Sequence, residues 1–274
     1  MLKKSDEILI KGSEVKDEQT VTSQLTFCDF CVSVKKGNSE CGDSAFVYYD
    51  KNKLIAGVFD GVSGEPDAAL ASSVAAANIL ESLRAHDHAT EKLLEDALVH
   101  SHTKIKKGFT TGSIVFLEKD GTVTIAGVGD SPIYTITGDS IYSELHLARV
   151  VRNGDSILKF LSSRHMITSF IGPSNNDIIV CTKSGKLAKD EKLIIATDGL
   201  LDNLYVGVHD GYITDSLGLV DLKNILPKEG SSENIVRSLM VDITKRISAG
   251  KIEHKDRLLH PKDDDISIIC IGFK

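Results

Sequence analysis

Several absences narrow the reading of this 274-residue chain before any motif is considered. No apolar run approaches the roughly 20 residues that crossing a bilayer requires. The opening stretch MLKKSDEILIKGSEVKDEQT is interrupted by acids and lacks the apolar core of a signal peptide. A cytoplasmic protein without a membrane anchor is therefore the expectation. There is no basic excess, since 39 acids against 32 Lys and Arg give a formal charge of −7. That balance speaks against a general nucleic-acid binder, which normally presents a basic surface. Cysteines number five, an odd count, so no disulfide framework is expected. No repeat, low-complexity tract or Pro/Ser-rich linker marks a boundary, and we read one domain over 21–274 behind a polar lead-in over 1–20. Nothing indicates an oligomer, and a monomer is the default.

What the chain does contain is ordinary for a folded protein: 41% hydrophobic and 26% charged residues, enough for a substantial core. Strand-like runs cover 25–34, 44–49 and 54–59, the last two separated by the turn-like Asp50-Lys51-Asn52. An alanine-rich helix is predicted over 67–85 and a second over 91–106. Strands follow at 112–117, 123–128 and 133–137, with Asp120-Gly121 as a tight turn between the first two, and 141–145 can pair with the third. The stretch 146–171 is difficult to assign beyond a short helix over 156–162. Strands return at 178–181 and 192–196, a helix follows Asp198, an amphipathic helix spans 232–247, and 266–271 is the final strand. Strands in groups and helices in pairs indicate an α+β fold with antiparallel sheets.

Two local patterns invite over-reading. Cys28 and Cys31 form a Cys-x-x-Cys, with Cys41 nearby, but they lie in a strand-like run where positions i and i+3 face opposite ways. Ordinary strand cysteines are the simpler reading. His86 and His88, and likewise His100 and His102, have metal-like spacing, yet residues two apart on a helix do not face each other; surface histidines are expected.

The acids are more informative. Asp60 follows the apolar run LIAGVF and precedes Gly61; Asp198 follows LIIAT and precedes Gly199; Asp130 follows IAGVG; Asp264 comes just before ISIICI. Taken singly, each Asp-Gly is an ordinary turn signal. Taken together, acids on rigid strand ends that converge repel one another unless a cation lies between them. Hard divalent ions such as magnesium or manganese take such oxygen ligands.

The ordered series Gly42-Asp43, Phe59-Asp60-Gly61, Thr111-Gly112-Ser113, Val128-Gly129-Asp130-Ser131, Thr197-Asp198-Gly199-Leu200 and Asp264-Asp265-Ile266-Ser267 resembles the type 2C metal-dependent protein phosphatases. The resemblance covers about residues 25 to 273. Gly42-Asp43 and FDGVSGEPDAA are nearest the bacterial branch that includes sporulation and stress-response phosphatases. It implies an α-β-β-α sandwich, two antiparallel sheets flanked by helix pairs, with two Mn2+ or Mg2+ ions at one edge. By position Asp60 would bridge both ions with help from the Gly61 carbonyl. Asp198 and Asp264 would complete one ion's shell, Asp43 would support the other, and Asp130 would contribute to a weaker third. The implied reaction is hydrolysis of phosphoserine and phosphothreonine in a phosphoprotein by attack of a metal-bridging water, with Asp60 and Asp198 acting through that water and no covalent intermediate.

Three departures from the family pattern bear on that expectation. Gly42 stands where an acid usually precedes the first aspartate. Asp60-Gly61-Val62-Ser63-Gly64 lacks the histidine that can protonate a leaving group. No arginine matches the one that grips substrate phosphate, leaving Lys35 and Lys36 as candidates in the right region. Asp265, beside Asp264, leaves the register of the last motif open. Two other readings stay in view: an inactive relative acting as a binding module, and a hydrolase of small phosphate esters.

Overall fold

A computed structural model describes residues 5–37, 40–173, 177–227 and 230–274. The first half of the chain runs β1 (Ser5–Ile10), β2 (Glu18–Gln24), β3 (Cys28–Lys35), β4 (Ser44–Asp50), β5 (Lys53–Phe59), α1 (Ala68–Arg84), α2 (Glu91–Lys104), β6 (Gly112–Glu118), β7 (Thr122–Val128), β8 (Ile133–Thr137) and β9 (Ser140–Ser143). The second half continues α3 (Ile157–Ser163), β10 (Cys181–Lys186), β11 (Lys192–Ala196), α4 (Asp198–Leu201), β12 (Val206–His209), β13 (Tyr212–Asp215), α5 (Leu219–Ile225), α6 (Ser232–Ala249), β14 (Ile252–Glu253), β15 (Arg257–Leu259) and β16 (Ile266–Phe273). None of the described helices is long and apolar enough to cross a membrane.

Two six-stranded antiparallel sheets face each other, ordered β1-β4-β5-β6-β7-β10 and β2-β3-β16-β11-β8-β9. Side chains alternate across each strand. Val32 and Val34 of β3, Val58 of β5, Val115 of β6, Ile195 of β11 and Ile269 of β16 fill the space between the sheets. Their neighbours point outward: Ile55, Phe59 and Phe116 meet α1 and α2, while Ile194, Ile268 and Cys270 meet α6. Central strands are buried on both faces, which is why they read as unbroken apolar runs. The result is the expected α-β-β-α sandwich. Cys28 turns into the intersheet core and Cys31 toward α6, on opposite faces.

Three features depart from the sequence reading. The stretch taken as a loose lead-in instead supplies edge strands to both sheets, β1 pairing with β4 and β2 with β3; residues 1–4 lie outside the described residues. The strand expected at 178–181 begins only at Cys181, and Ile178 and Val180 pack against the helix-side core without pairing. A four-stranded sheet, β13-β12-β15-β14, was not anticipated; it packs with α3 around Val151, Phe160, Val208 and Leu258.

α1 lies close to its sheet because Ala71, Ala75 and Ala76 share its inner face with Ile79, Leu80 and Leu83. Its C-terminus is closed by Lys53 of β5, only 2% exposed, whose ammonium donates to the Arg84 carbonyl at 2.8 Å and to that of His86. A cation suits the carbonyl end of a helix dipole. Lys53→Met keeps the apolar stem but leaves those carbonyls without their donor; we expect a stability loss of about 1–3 kcal/mol in urea unfolding.

Candidate functional site

The strand ends gather the acids at one edge of the sandwich. Asp43 immediately precedes β4, Asp60 follows β5, and Asp130 lies beyond β7; from the other sheet come Asp198, following β11, and Asp264, preceding β16. The backbone at Asp60-Gly61 is pinned. The Asp60 carbonyl accepts from the Thr111 N–H (2.8 Å) and from Thr110 Oγ1 (2.7 Å), and the Gly61 N–H donates to the Gly42 carbonyl at 3.2 Å. A Cβ at Gly61 would stand 2.7 Å from the Ala68 carbonyl oxygen and 2.8 Å from that of Gly42, and one at Gly199 would stand 1.9 Å from the Asp265 carbonyl oxygen. Glycine at these two Asp-Gly motifs is thus required by close backbone approach, beyond any preference of turns.

Asp43 joins the two sheets. Its Oδ2 accepts from Thr197 Oγ1 at 2.7 Å and from Ser267 Oγ at 2.8 Å, and Thr197 and Ser267 also bond to each other through backbone and side chain. All three are essentially inaccessible. Burial nevertheless holds the Asp43 carboxyl well above its ordinary range, with Asp265 adding to the rise and the two hydroxyls opposing it. Asp60 is raised strongly as well, by burial first and then by Asp198, Asp43, Asp130 and Asp264. Asp198 is raised from 3.8 to about 7, by burial and Asp202 against the opposing pull of Lys262.

The open register of the last motif resolves into two different roles. Asp265 accepts from the N–H groups of Gly37 (2.7 Å) and Gly42 (2.6 Å), tying down the strand-to-strand connection before Asp43. Its Oδ2 also lies 3.6 Å from where a side chain at Gly42 would begin, so acidic charge near that position comes from Asp265. Asp264 instead faces Lys262, whose ammonium pairs with it and stands 3.8 Å from Asp198 Oδ2.

Two sets of candidate residues have other partners in the fold. Asp130, assigned to a third metal by resemblance, is paired with Arg149, whose Nε lies 2.9 Å from its Oδ2 while Nη2 reaches Asp202. The guanidinium already supplies the cation there. Lys35, a candidate for phosphate, points to the outer face of its sheet and donates to Thr244 Oγ1 of α6 at 2.7 Å, with that sheet between it and the intersheet core. Lys36 continues past β3 with its N–H on the Asp17 carbonyl. His88 is exposed and meets Glu118, and His102 accepts from the Gly172 N–H, so neither histidine pair joins the acids.

Sequence reasoning missed Lys262, Arg149, Asp202, and the clasp partners Thr197 and Ser267. Lys262 was findable in principle, because it stands two residues before Asp264 and in extended backbone such residues share a side. Arg149 was not, since it lies in the stretch without periodicity. A cleft of about 790 Å³ opens beside the acids, lined by Lys11, Gly42, Gly61, Ser63, Leu70 and Asp265 among others.

The donor set suits a hard divalent ion, because its side-chain donors are carboxylate oxygens whose charges oppose one another around Asp60. Among the described residues no three of these groups yet close on a single point in ligand geometry.

Against this geometry the family can be stated. The profile described as protein phosphatase 2C matches residues 33–224, and the chain belongs to that family. It is a phosphoprotein phosphatase, a hydrolase of a metal-dependent family. No curated protein matches the sequence. Among solved structures it is similar in fold to RsbX, described in complex with magnesium, at 20% identity, 93% coverage of this chain, 100% of that one and a TM-score of 0.63. It is likewise similar to the photosystem II phosphatase PBCP (17% identity, 90% and 99% coverage, TM-score 0.65). The serine/threonine phosphatase PstP/Ppp of Mycobacterium tuberculosis is a third such structure (12% identity, 90% and 99% coverage, TM-score 0.63).

Arg149→Leu would leave Asp130 and Asp202 buried without their shared cation. We expect a loss of about 3–5 kcal/mol in denaturant unfolding, the range for breaking a buried ion pair. The raised carboxyls set a pH dependence whose sign is fixed. Between the unfolded value of 3.8 and the folded value of about 7 for Asp198, the native state holds the extra proton, so stability falls as pH rises through that window. In chelator, the melting temperature should therefore drop from pH 5 to pH 7. Saturating Mn2+, which binds the ionised carboxylates, should flatten or reverse that slope.

Proposed function

We propose that this chain removes phosphate from phosphoserine and phosphothreonine in proteins, using two Mn2+ or Mg2+ ions held at the sandwich edge. The observation that carries the reading is the crowd of carboxylates around Asp60, whose ionisation is opposed by Asp198, Asp43, Asp130 and Asp264. In this reading Asp60 and the Gly61 carbonyl would serve both ions, Asp198 and Asp264 would hold one of them, and Asp43 would support the other. The ions, when bound, supply an activated water and neutralise charge on the phosphoryl group.

The protein's own groups do the rest. Thr197 and Ser267 orient Asp43 by donating to one of its oxygens. The Thr110 and Thr111 bonds hold Asp60 at a fixed depth. Asp265 adds negative charge near Gly42, where the family pattern has an acid, and so supports a second ion held less tightly than the first. The position that carries histidine in some relatives is near Ser63, which is exposed and a poor acid; protonation of the leaving oxygen falls to solvent. That RsbX is described with magnesium supports the choice of metal class.

Hydrolysis of para-nitrophenyl phosphate should require added Mn2+ or Mg2+. Asp60→Asn should lower it by more than the roughly 10–100-fold typical of losing a group that only orients a ligand. Activity unaffected by chelator or by Asp60→Asn would refute the reading. A phosphothreonine peptide should be a better substrate than a small sugar phosphate; the reverse preference would make the chain a small-ester hydrolase.

A further inference from the structure

Lys262 occupies a position that the reaction scheme does not use. Its ammonium is paired with Asp264 and stands 3.8 Å from Asp198, so it lies against both carboxylates assigned to one ion. The arrangement is built into the backbone. Asn203, fully buried, receives the Lys262 N–H on its Oδ1 at 3.0 Å and donates from Nδ2 to the Lys262 carbonyl at 2.9 Å. The same Nδ2 donates to the Gly199 carbonyl at 2.8 Å. One side-chain amide therefore fixes the residue after Asp198 and the residue two before Asp264 relative to each other. The Lys262 side chain remains 32% exposed, so its head can move into solvent while its backbone stays clamped.

An ammonium and a divalent ion seek the same carboxylate oxygens, and both cannot have them fully. We propose that Lys262 is a tethered cation that closes the Asp198–Asp264 pair in the metal-free protein and is displaced when a divalent ion binds there. This rests on the reading of those two carboxylates as metal ligands. In the metal-free state the ammonium relieves repulsion between the two acids. On metal binding that relief is given up, and the apparent affinity falls by the fraction of molecules whose site is open. Lys262 thus sets the metal concentration at which the ion held by Asp198 and Asp264 binds, since its ammonium faces those two carboxylates. Arg149 differs in kind. It is buried and bonded to two carboxylates at once, Asp130 and Asp202, where Lys262 is a third exposed.

The test is calorimetric titration of Mn2+ into the chelator-stripped full chain, with melting temperature in chelator as a second readout. Lys262→Met should tighten Mn2+ binding at one site by roughly 2–5-fold, the worth of a partly exposed ion pair released. The same variant should melt lower than wild type in chelator, and the gap should shrink at saturating Mn2+. Lys262→Arg, which keeps the charge, should stay close to wild type. Lys262→Gln should follow Lys262→Met and guards against an effect of the methionine itself. Mn2+ binding that is unchanged or weaker in both neutral variants overturns the proposal while leaving the metal site in place. If neither wild type nor variants bind Mn2+, the reading of the site as a metal centre fails together with it.

Discussion

Asp43 Oδ2 takes hydrogen bonds from Thr197 and Ser267, and this clasp ties the two sheets together at the edge where the acids collect. The fold brings carboxylates from both sheets to that edge, and their mutual repulsion is a constraint the surrounding structure must answer. It does so in three ways. Hydroxyls and backbone N–H groups satisfy Asp43 and Asp265; a buried guanidinium neutralises Asp130 and Asp202; a movable ammonium faces Asp198 and Asp264. Among the described residues no cation pairs with Asp60, and Asp198, Asp43, Asp130 and Asp264 all oppose its charge.

That distribution separates structural charge from functional charge. Where a cation is wholly buried, as Arg149 is, removing it costs stability because two desolvated acids remain. Where the cation is partly exposed, as Lys262 is, the acids can exchange it for another. Asp130, the position linked by resemblance to a third metal, is the one paired with Arg149.

The layers of the fold were legible because both faces of the central strands are buried, which leaves apolar runs such as LIAGVF and ISIICI between sharp turns. The alanine-rich α1 announced itself by helix formers and spacing. The small sheet was not legible, since β12 to β15 are two to four residues long and carry little apolar periodicity. The edge strands β1 and β2 were hidden by their polarity, which suits an edge that meets solvent on one side. The acids themselves were readable as strand-end motifs. Their partners were not: Thr197 and Ser267 meet Asp43 across more than 150 positions of sequence, and no local pattern carries such a pairing. Lys35 shows the converse failure, since proximity in sequence suggested a site that strand alternation turns it away from.

The most direct test of the account is a crystal structure grown with manganese, with the ions located by anomalous scattering. Two ions are expected beside Asp60, one of them shared with Asp198 and Asp264, with the Lys262 ammonium moved out toward solvent and Arg149 still on Asp130. Density showing no ion at Asp60, with Lys262 still between Asp198 and Asp264 at saturating manganese, would contradict it.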